Sequence, residues 1–428
     1  MKINVFWFRR DLRLEDNTAF WHSLQSGLPV LPIFIFDTKI IDELLTDDPR
    51  ISFIYMQLKH INQELNKHKS ALKIFKSSPE EAFRKILNEF DVHSVYSNRD
   101  YEPYAIKRDS NIENLLKDQG ISFFQYKDQV IFEKNEILKQ NQEPYTVFTP
   151  YKNQWLTKFE LTPLEIKSVK LYLTNLYHFN EVFPSLNELG FQVSNLKVKD
   201  FNLDNLAFYG QNRDISSLDG TSYLGPHLRF GTISIRKLIS NLNFNDSVFL
   251  SELVWREFFM QILAHFPRVV SENFKTKYNK INWLNNEKEF EKWCNGQTGY
   301  PIVDAGMRQL NETGYMHNRV RMVVASFLCK HLLINWQWGE AYFAKKLLDY
   351  ELSSNNGNWQ WAAGTGCDAA PYFRVFNPII QQNKFDPLMK YTQKWIKNID
   401  KDTYPLPIVN HDFARKRAIE VYKMGLNS

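Results

Sequence analysis

Five short apolar runs alternate with amphipathic stretches in the first 126 residues, and this alternation constrains the fold more than any other feature. The runs lie at 3–8, 30–36, 71–75, 93–97 and 121–126. Between several of them, apolar residues with helical spacing lie at 51–67, 79–90 and 103–118. Strands that alternate with helices build a parallel sheet covered by helices. The sequence therefore predicts an α/β domain with a doubly wound parallel sheet over residues 1–126.

The pattern changes twice after this first domain. Residues 127–200 are rich in Lys, Asn, Gln and Pro, and we interpret them as an interdomain linker that crosses the surface. Residues 201–428 show long amphipathic stretches, including 248–265, 302–313 and 316–334, and few plausible strands. We therefore expect an all-α second domain. No G-x-G-x-x-G follows the first apolar run, so the sequence does not support a dinucleotide site of the usual Rossmann type there.

Charge and cysteine usage exclude several classes of protein. The net charge of +5 divides into −1 over residues 1–200 and +6 over 201–428, an excess that allows a phosphate-binding surface without establishing one. No apolar run reaches membrane-spanning length, and the first residues carry charges where a signal peptide needs apolar ones. The three cysteines have no metal-ligand spacing. We expect a cytoplasmic protein without a metal site or a membrane partner.

One loop carries the densest chemistry of the chain. Residues 355–378 read NNGNWQWAAGTGCDAAPYFRVFNP, with two tryptophans, two adjacent asparagines, an aspartate and an arginine among three glycines. Small residues let the backbone approach a flat ligand, while indole rings supply π-faces and polar groups reach its edge. A lone W-x-W is more often part of a buried aromatic loop, so the interpretation depends on the wider pattern.

Two further segments combine polar groups with helical spacing. GTSYLGPHLRFGTISIRKL (220–238) places hydroxyls and free backbone N–H groups before a helical pattern, which suits a phosphate and equally suits an ordinary capped helix. In SELVWREFFMQIL (251–263), Glu252, Trp255, Arg256 and Phe259 fall on one side of a helix. Taken alone, this second pattern is typical of an amphipathic helix with a surface ion pair.

A third segment, YMHNRVRMVVASFL (315–328), separates two directions on one predicted helix. Asn318, Arg321 and Met322 share a face, whereas Arg319 is rotated by about 100° from Asn318. One side can therefore meet a ligand while Arg319 points elsewhere. We interpret His317 as structural, because no second histidine lies beside it.

These segments together resemble the DNA photolyase/cryptochrome family. Residues 355–374 match its pattern N-N-G-x-W-Q-W-A-[AS]-[GS]-T-G-x-D-A-A-P-Y-F-R, and VFWFRRDLRLEDN (5–17) matches its N-terminal signature. Within the family the chain is most similar to class I cyclobutane pyrimidine dimer photolyases. The resemblance covers nearly the whole chain and is weakest over 127–200.

The resemblance implies that FAD binds noncovalently to the helical domain. The implied cofactor-binding residues are Tyr209, Thr221, Ser222, Tyr223, Leu224, Gly225, Asn318, Arg321, Asp349, Tyr350, Glu351 and Asn355. Two of them depart from the family pattern, because Gly225 replaces a serine and Glu351 replaces the second aspartate of a D-x-D motif. We expect Arg321 to pair with Asp349.

The resemblance also implies residues for DNA and for electron transfer. The implied DNA- and lesion-binding residues are Arg213, Glu252, Trp255, Arg319, Met322, Trp361 and Arg374. Glu252 would contact the damaged bases, and Asn355 would lie opposite the flavin N5 atom. Trp359, Trp336 and Trp283 match a chain of tryptophans that leads from the flavin to the surface, although their spacing alone does not indicate such a chain.

The resemblance implies an enzyme, a carbon–carbon lyase that repairs cyclobutane pyrimidine dimers in UV-damaged DNA. In such repair, light excites reduced FAD, and an electron passes to a dimer flipped out of the duplex. We expect a monomer. The alternatives are a cryptochrome photoreceptor without repair activity and a (6-4) photolyase.

Asn355 argues against the plant cryptochromes, which have aspartate there, and from residue 428 as the last position we expect no signalling tail. The pair His317–Asn318 argues against the (6-4) group, and Met322 against the DASH group. Because Tyr104 and Ala105 replace the Asn-Glu of folate-binding relatives, the antenna chromophore stays unknown.

Overall fold

A computed structural model describes residues 1–204, 206–397, 399 and 402–427. The chain forms two compact units, each of which is built from three separate stretches of the sequence. The first unit contains Met1–Glu136, Leu156–Asp200 and Leu224–Asn243, and the second contains Ile137–Trp155, Phe201–Tyr223 and Phe244–Ser428. The predicted domains 1–126 and 201–428 form the bulk of the two units, and the predicted linker 127–200 is divided between them.

The first unit is built on a five-stranded parallel sheet in the order β3-β2-β1-β4-β5. Its strands are β1 (Ile3–Phe8), β2 (Val30–Asp37), β3 (Lys73–Ser77), β4 (Val92–Asn98) and β5 (Ser122–Tyr126). Every residue of β1 and β2 is buried, as expected for central strands covered on both faces. The predicted α/β fold class is therefore confirmed, and all five apolar runs are strands.

Helices connect these strands and cover the sheet, with bounds α1 (Thr18–Leu24), α2 (Thr38–Ile41), α3 (Pro49–Asn66), α4 (Pro79–Glu89) and α5 (Pro103–Lys117). The start of α4 shows why its bounds are sharp. Ser78 and Glu81 form a reciprocal capping box, and Pro79 occupies the first turn, where no N–H is needed. Local sequence chemistry thus defines where this helix begins.

The sheet reverses its strand order between β1 and β4, where ligands bind in many open α/β sheets. Here the protein's own polar groups meet each other. Asn98 at the end of β4 donates to Asp11 Oδ2 at 2.6 Å and to Asn17 Oδ1 at 2.7 Å. Burial raises the pKa of the Asp11 carboxyl, which the backbone N–H of Arg9 opposes. Part of the N-terminal signature therefore has a structural role.

The rest of the chain is helical, with α6 (Phe148–Glu160), α7 (Tyr209–Asn212), α8 (Leu224–Arg229), α9 (Ile235–Ser240), α10 (Ser247–His265), α11 (Glu287–Cys294), α12 (Pro301–Thr313), α13 (Asn318–Ser326), α14 (Trp336–Lys346), α15 (Leu352–Ala363), α16 (Pro378–Phe385), α17 (Lys390–Trp395) and α18 (His411–Asn427). A π-helical turn, Phe327–His331, follows α13. The core of the second unit lies among α11–α15 and contains Trp293, Trp336 and Trp359. Within the described ranges, no helix has both the length and the apolarity to cross a bilayer.

Helix α6 does not fit the interpretation of 127–200 as a connector on the surface. Its residues Phe148, Tyr151 and Trp155 are buried, and the Trp155 indole N–H donates to Glu257 Oε1 at 2.7 Å. Their spacing of three and four residues places them on one helical face. This face packs into the second unit, so the stretch is part of its core.

Candidate functional site

A cavity opens in the second unit between α13, α14 and α15. Its volume is about 590 Å³ when the solvent-filled mouth is included. Of the residues implied by resemblance, the cavity brings together Asn318, Arg321, Met322, Asp349, Tyr350, Glu351, Asn355, Trp359 and Trp361. The cavity therefore collects the predicted ligand-facing side of 315–328 and much of the aromatic loop in one place.

The first wall of the cavity is α13, which His317 caps. His317 Nδ1 accepts from the Arg319 backbone N–H at 3.2 Å, so the ring has a structural role, as predicted. Burial, together with the nearby Arg321, Arg319 and Arg213, lowers the pKa of His317 to about 4, against the opposing effect of Asp214. The cap is therefore a neutral imidazole at physiological pH.

Arg321 forms the predicted pair with Asp349. Arg321 Nη2 donates to Asp349 Oδ2 at 2.8 Å, and its Nε donates to the Met316 carbonyl at 2.9 Å. The other carboxylate oxygen, Asp349 Oδ1, is buried and has no hydrogen-bond partner among the described residues. A buried acceptor without a donor is costly, and Asp349 lines the cavity, so this oxygen suits a polar hydrogen of a ligand.

Asn355 is held in one orientation from the opposite side of the cavity. Its Nδ2 donates to Glu340 Oε1 at 2.8 Å and to the Glu340 carbonyl at 3.2 Å. Burial raises the pKa of the Glu340 carboxyl, against hydrogen bonds from Asn355 and Tyr350 that lower it. Because both donor contacts are directed at Glu340, Asn355 Oδ1 is left as the acceptor that a ligand in the cavity can use.

Glu351 caps α15, and the segment 355–378 that was expected to be a loop is helical as far as Ala363, so that Trp359 and Trp361 lie on this helix. Glu351 Oε2 accepts from the Ser354 N–H at 2.9 Å and from the Ser353 hydroxyl at 2.5 Å, and the residue is buried. This contact fixes the start of α15. The replacement of aspartate by glutamate at this position is therefore compatible with an ordered helix start.

Trp359 lines the cavity and packs into the core. A Cβ placed on Gly339 would lie 2.1 Å from Trp359 Cη2, so only glycine lets α14 approach the indole this closely. The Trp359 ring contacts Phe343 at 5.0 Å and Trp293 at 6.1 Å between centroids.

Trp336 and Trp283, the other members of the predicted chain, line a second cavity of about 520 Å³. The Trp336 indole N–H donates to Asn273 Oδ1 at 2.9 Å. Trp336 is buried, whereas Trp283 is half-buried, as a terminal member near solvent would be. The role of the three tryptophans in electron transfer stays a prediction.

The three arginines implied for DNA, Arg213, Arg319 and Arg374, are not among the residues that line the first cavity, and two of them form ion pairs. Arg213 Nη1 donates to Glu252 Oε1 at 2.5 Å. Arg319 donates from Nε and Nη2 to Asp214 Oδ1 at 3.2 and 2.7 Å. Arg374 is exposed, lies 5.3 Å from the Phe376 ring centroid, and forms no ion pair within the part of the chain that the structure describes.

Trp255 has one indole face covered by an aromatic ring. The Phe148 ring stacks on it with centroids 3.6 Å apart and planes 8° apart. The face of Trp255 that Phe148 covers is therefore closed to a base, and the Phe259 and Trp255 ring centroids lie 5.4 Å apart. Phe148 was not predicted from the sequence, although its helical spacing with Tyr151 and Trp155 could have found it.

The expected phosphate segment 221–225 is divided between the two units. Tyr209 begins α7, its ring contacts Phe249 at 5.1 Å, and burial raises its pKa to about 12. Thr221, Ser222 and Tyr223 belong to the second unit, whereas Leu224 and Gly225 belong to α8 in the first. The Tyr223 hydroxyl donates to Asp219 Oδ1, and its ring contacts Tyr315 at 5.3 Å. A phosphate contact at 221–225 stays a prediction.

The cavity fits a flat cofactor with polar edges. Trp359 supplies an aromatic wall, Asp349 Oδ1 and Asn355 Oδ1 supply acceptors, and Arg321 supplies a cation. The family model described as "FAD binding domain of DNA photolyase" matches residues 249–401, which contain all of these residues. The chain is thus a flavoprotein with FAD as its cofactor.

The second family model, described as "DNA photolyase", matches residues 4–168. A relative from Vibrio cholerae, named deoxyribodipyrimidine photo-lyase, is 34% identical over 98% of this chain and 99% of its own length. The chain belongs to the DNA photolyase family.

Two solved structures have the same fold. The crystal structure of a bacterial class III photolyase from Agrobacterium tumefaciens superposes with a TM-score of 0.87 at 32% identity, covering 100% of this chain and 98% of that one. The archaeal photolyase from Sulfolobus tokodaii, described as having two FAD molecules, gives 0.85 at 34% identity, with coverages of 99% and 100%.

Proposed function

We propose that this protein repairs pyrimidine dimers in UV-damaged DNA, using light and reduced FAD. One observation carries the proposal. The cavity of the FAD-binding region gathers the acceptors, the arginine and the indoles expected for a flavin beside a lesion, in a chain whose relatives are named deoxyribodipyrimidine photo-lyase. When bound and reduced, FAD supplies the electron that light transfers to the dimer and that returns once the ring has opened.

The protein's own groups would orient the cofactor. Arg321 and Asp349 form one fixed edge, and Asn355, held by Glu340, forms another. These contacts exist without a ligand, so cofactor binding does not require the side chains to reorient. Their polar atoms can therefore interact with the cofactor without a cost of reorganisation. The acceptor Asn355 Oδ1 would face a flavin N–H.

Glu252, Trp255, Met322 and Trp361 would receive the lesion. Met322 and Trp361 line the cavity and offer polarisable, apolar surfaces to flipped bases. Glu252 has one carboxylate oxygen bound by Arg213, and its second oxygen would accept from a pyrimidine N–H. Arg213, Arg319 and Arg374 would bind the flanking phosphates.

The test is a repair assay with a matched dark sample. A duplex with one thymine dimer is mixed with protein whose flavin is chemically reduced, and intact thymines are counted after blue light. We expect repair in the light and none in the dark. A flavin-loaded protein that repairs nothing in the light would be a photoreceptor of the cryptochrome type. A protein that repairs only (6-4) photoproducts would belong with that group.

We further propose that the enzyme is a cytoplasmic monomer. All three cysteines, Cys294, Cys329 and Cys367, are free, which fits a reducing compartment. Light scattering on the flavin-loaded protein measures its mass and would reject the monomer if it found a dimer. The antenna chromophore stays open, and an absorption band beyond those of flavin would reveal one.

A further inference from the structure

Arg319 presents the edge that arginines use for phosphate, and this edge is already occupied. Nε and Nη2 both donate to one oxygen of Asp214, at 3.2 and 2.7 Å. These two donors form the fork that binds a carboxylate or a phosphate. A DNA phosphate and the Asp214 carboxylate cannot use this edge at once.

The rest of the Arg319 guanidinium is held by other contacts. Its plane lies over the Phe385 ring at 4.3 Å from the centroid, and Nη1 lies 3.6 Å from Met322 Sδ. Removal of Asp214 would therefore leave the guanidinium supported by ring stacking. The Asp214 side chain is 44% exposed, against 20% for Arg319.

We propose that Asp214 is a built-in counter-ion that occupies the phosphate-binding edge of Arg319 until a DNA phosphate displaces it. This inference rests on the proposed function, which assigns DNA phosphate to Arg319. Because the Asp214 carboxylate is partly exposed, water and salt screen the ion pair, and a DNA phosphate can displace the carboxylate. Asp214 thereby weakens phosphate-driven binding to any duplex, and base contacts in the cavity must supply the remaining affinity for a lesion.

A second arginine implied for DNA phosphate provides a matched control. Arg374 is exposed, lies beside the Phe376 ring, and forms no ion pair among the described residues. If Asp214 acts through Arg319, then removal of Asp214 should increase DNA affinity more in a protein that contains Arg319 than in one that lacks it. Removal of Arg374 should not change that gain in affinity, because the free-energy effects of mutations at sites without a shared partner are additive.

The experiment is a double-mutant cycle on the flavin-loaded protein, read by fluorescence anisotropy with an undamaged and a dimer-containing duplex. Asp214→Asn is measured in the parent, in Arg319→Ala and in Arg374→Ala, at several salt concentrations. We expect Asp214→Asn to tighten binding to both duplexes, with a gain about two- to fivefold larger in the parent and in Arg374→Ala than in Arg319→Ala. Relative to the parent, Asp214→Asn should show a steeper dependence of the logarithm of DNA affinity on the logarithm of salt concentration, by up to about 0.9.

Two outcomes would overturn the proposal. Equal gains in all three backgrounds would mean a general charge effect, and weaker binding by Asp214→Asn in the parent would mean that Asp214 only orients Arg319. Failure of the proposed function would give a different result. A parent that binds both duplexes equally would lack lesion recognition, and the double-mutant cycle would still decide the role of Asp214. Equal flavin absorbance in every variant verifies the fold.

Discussion

The second unit contains the flavin cavity and an arginine surface, which we define by Arg213, Arg319 and Arg374. The polar side chains of these two regions are held in different ways. In the cavity, Asn355 is held by the largely buried Glu340 and Arg321 by Asp349, so these polar atoms are fixed in advance. On the surface, Arg213 and Arg319 are held by the partly exposed carboxylates of Glu252 and Asp214. The Asp349 carboxylate is 19% exposed, against 30% for Glu252 and 44% for Asp214. A less exposed partner suits a cofactor that stays bound, whereas a more exposed partner suits a nucleic acid that must come and go.

This comparison makes the two regions separable by mutation. Changes in the cavity should alter flavin chemistry and leave the salt dependence of DNA binding unchanged. Changes on the surface should alter DNA binding and leave flavin content unchanged. The variants below test that separation.

Trp359→Phe should have the largest effect. We expect loss of light-driven reduction of oxidised FAD, because a phenyl ring keeps most of the packing against Phe343 but is much harder to oxidise than an indole. Repair by chemically reduced protein and the DNA salt slope should stay at parent values. Flavin absorbance under blue light with an external reductant measures the change, and photoreduction at the parent rate would remove Trp359 from the electron path.

Glu252→Ala should reduce affinity for the dimer by roughly 1.5–3 kcal/mol, the usual contribution of a hydrogen bond to a charged group. Affinity for undamaged duplex should not fall, since Arg213 loses its carboxylate partner and becomes available to phosphate. Glu252→Gln is the matched control, because it keeps an acceptor without the charge. An unchanged ratio of dimer to undamaged affinity in the alanine variant would exclude a base contact by Glu252.

His317→Asn tests the junction of the two regions, since His317 caps the helix that carries both Arg319 and Arg321. Its pKa is about 4 in the folded protein against 6.5 in the unfolded chain, so the unfolded state takes up the proton first as pH falls. His317 therefore costs stability as pH falls below 6.5, by about 2 kcal/mol at pH 5.

Asparagine keeps the helix cap and cannot titrate, so His317→Asn should lose less stability between pH 7 and pH 5 than the parent. Urea unfolding followed by tryptophan fluorescence gives the free energy at each pH. Equal losses in parent and variant would show that the capping imidazole does not resist protonation.

Arg374→Ala and Arg319→Ala should have the smallest effects, and they should differ. Each phosphate contact contributes about 0.9 to the salt slope in duplex DNA. Removal of the unpaired Arg374 should flatten the slope by up to that amount, whereas removal of Arg319 should flatten it less, because Asp214 already offsets its charge. Anisotropy titrations across salt concentrations measure both, and an unchanged slope in both variants would remove these arginines from the DNA surface.

Much of the fold could be predicted from periodicity. The first-domain strands and the helices α3, α4 and α5 coincide with the predicted segments to within a few residues, because strand and helix spacing is written in consecutive residues. Helix α6 was missed because its buried face is diluted by Lys, Asn and Gln on the other faces.

The partners of the site residues could not be predicted in this way. Glu340 lies 15 residues from its partner Asn355 along the chain, and Phe148 lies 107 residues from its partner Trp255. No local sequence pattern links such pairs. Asp214 lies beside Arg213 in sequence but pairs with Arg319. The resemblance named the residues expected to face ligands and the pair of Arg321 with Asp349, and the fold identified the other partners.

The most direct test of the account is the repair quantum yield on a thymine-dimer oligonucleotide, measured with reduced flavin confirmed by absorbance. If the flavin cavity and the arginine surface form one repair site, then the parent repairs under blue light, Glu252→Ala repairs with a clearly lower yield, and neither repairs in the dark. A flavin-loaded parent that binds the dimer and leaves it intact in the light would contradict the account.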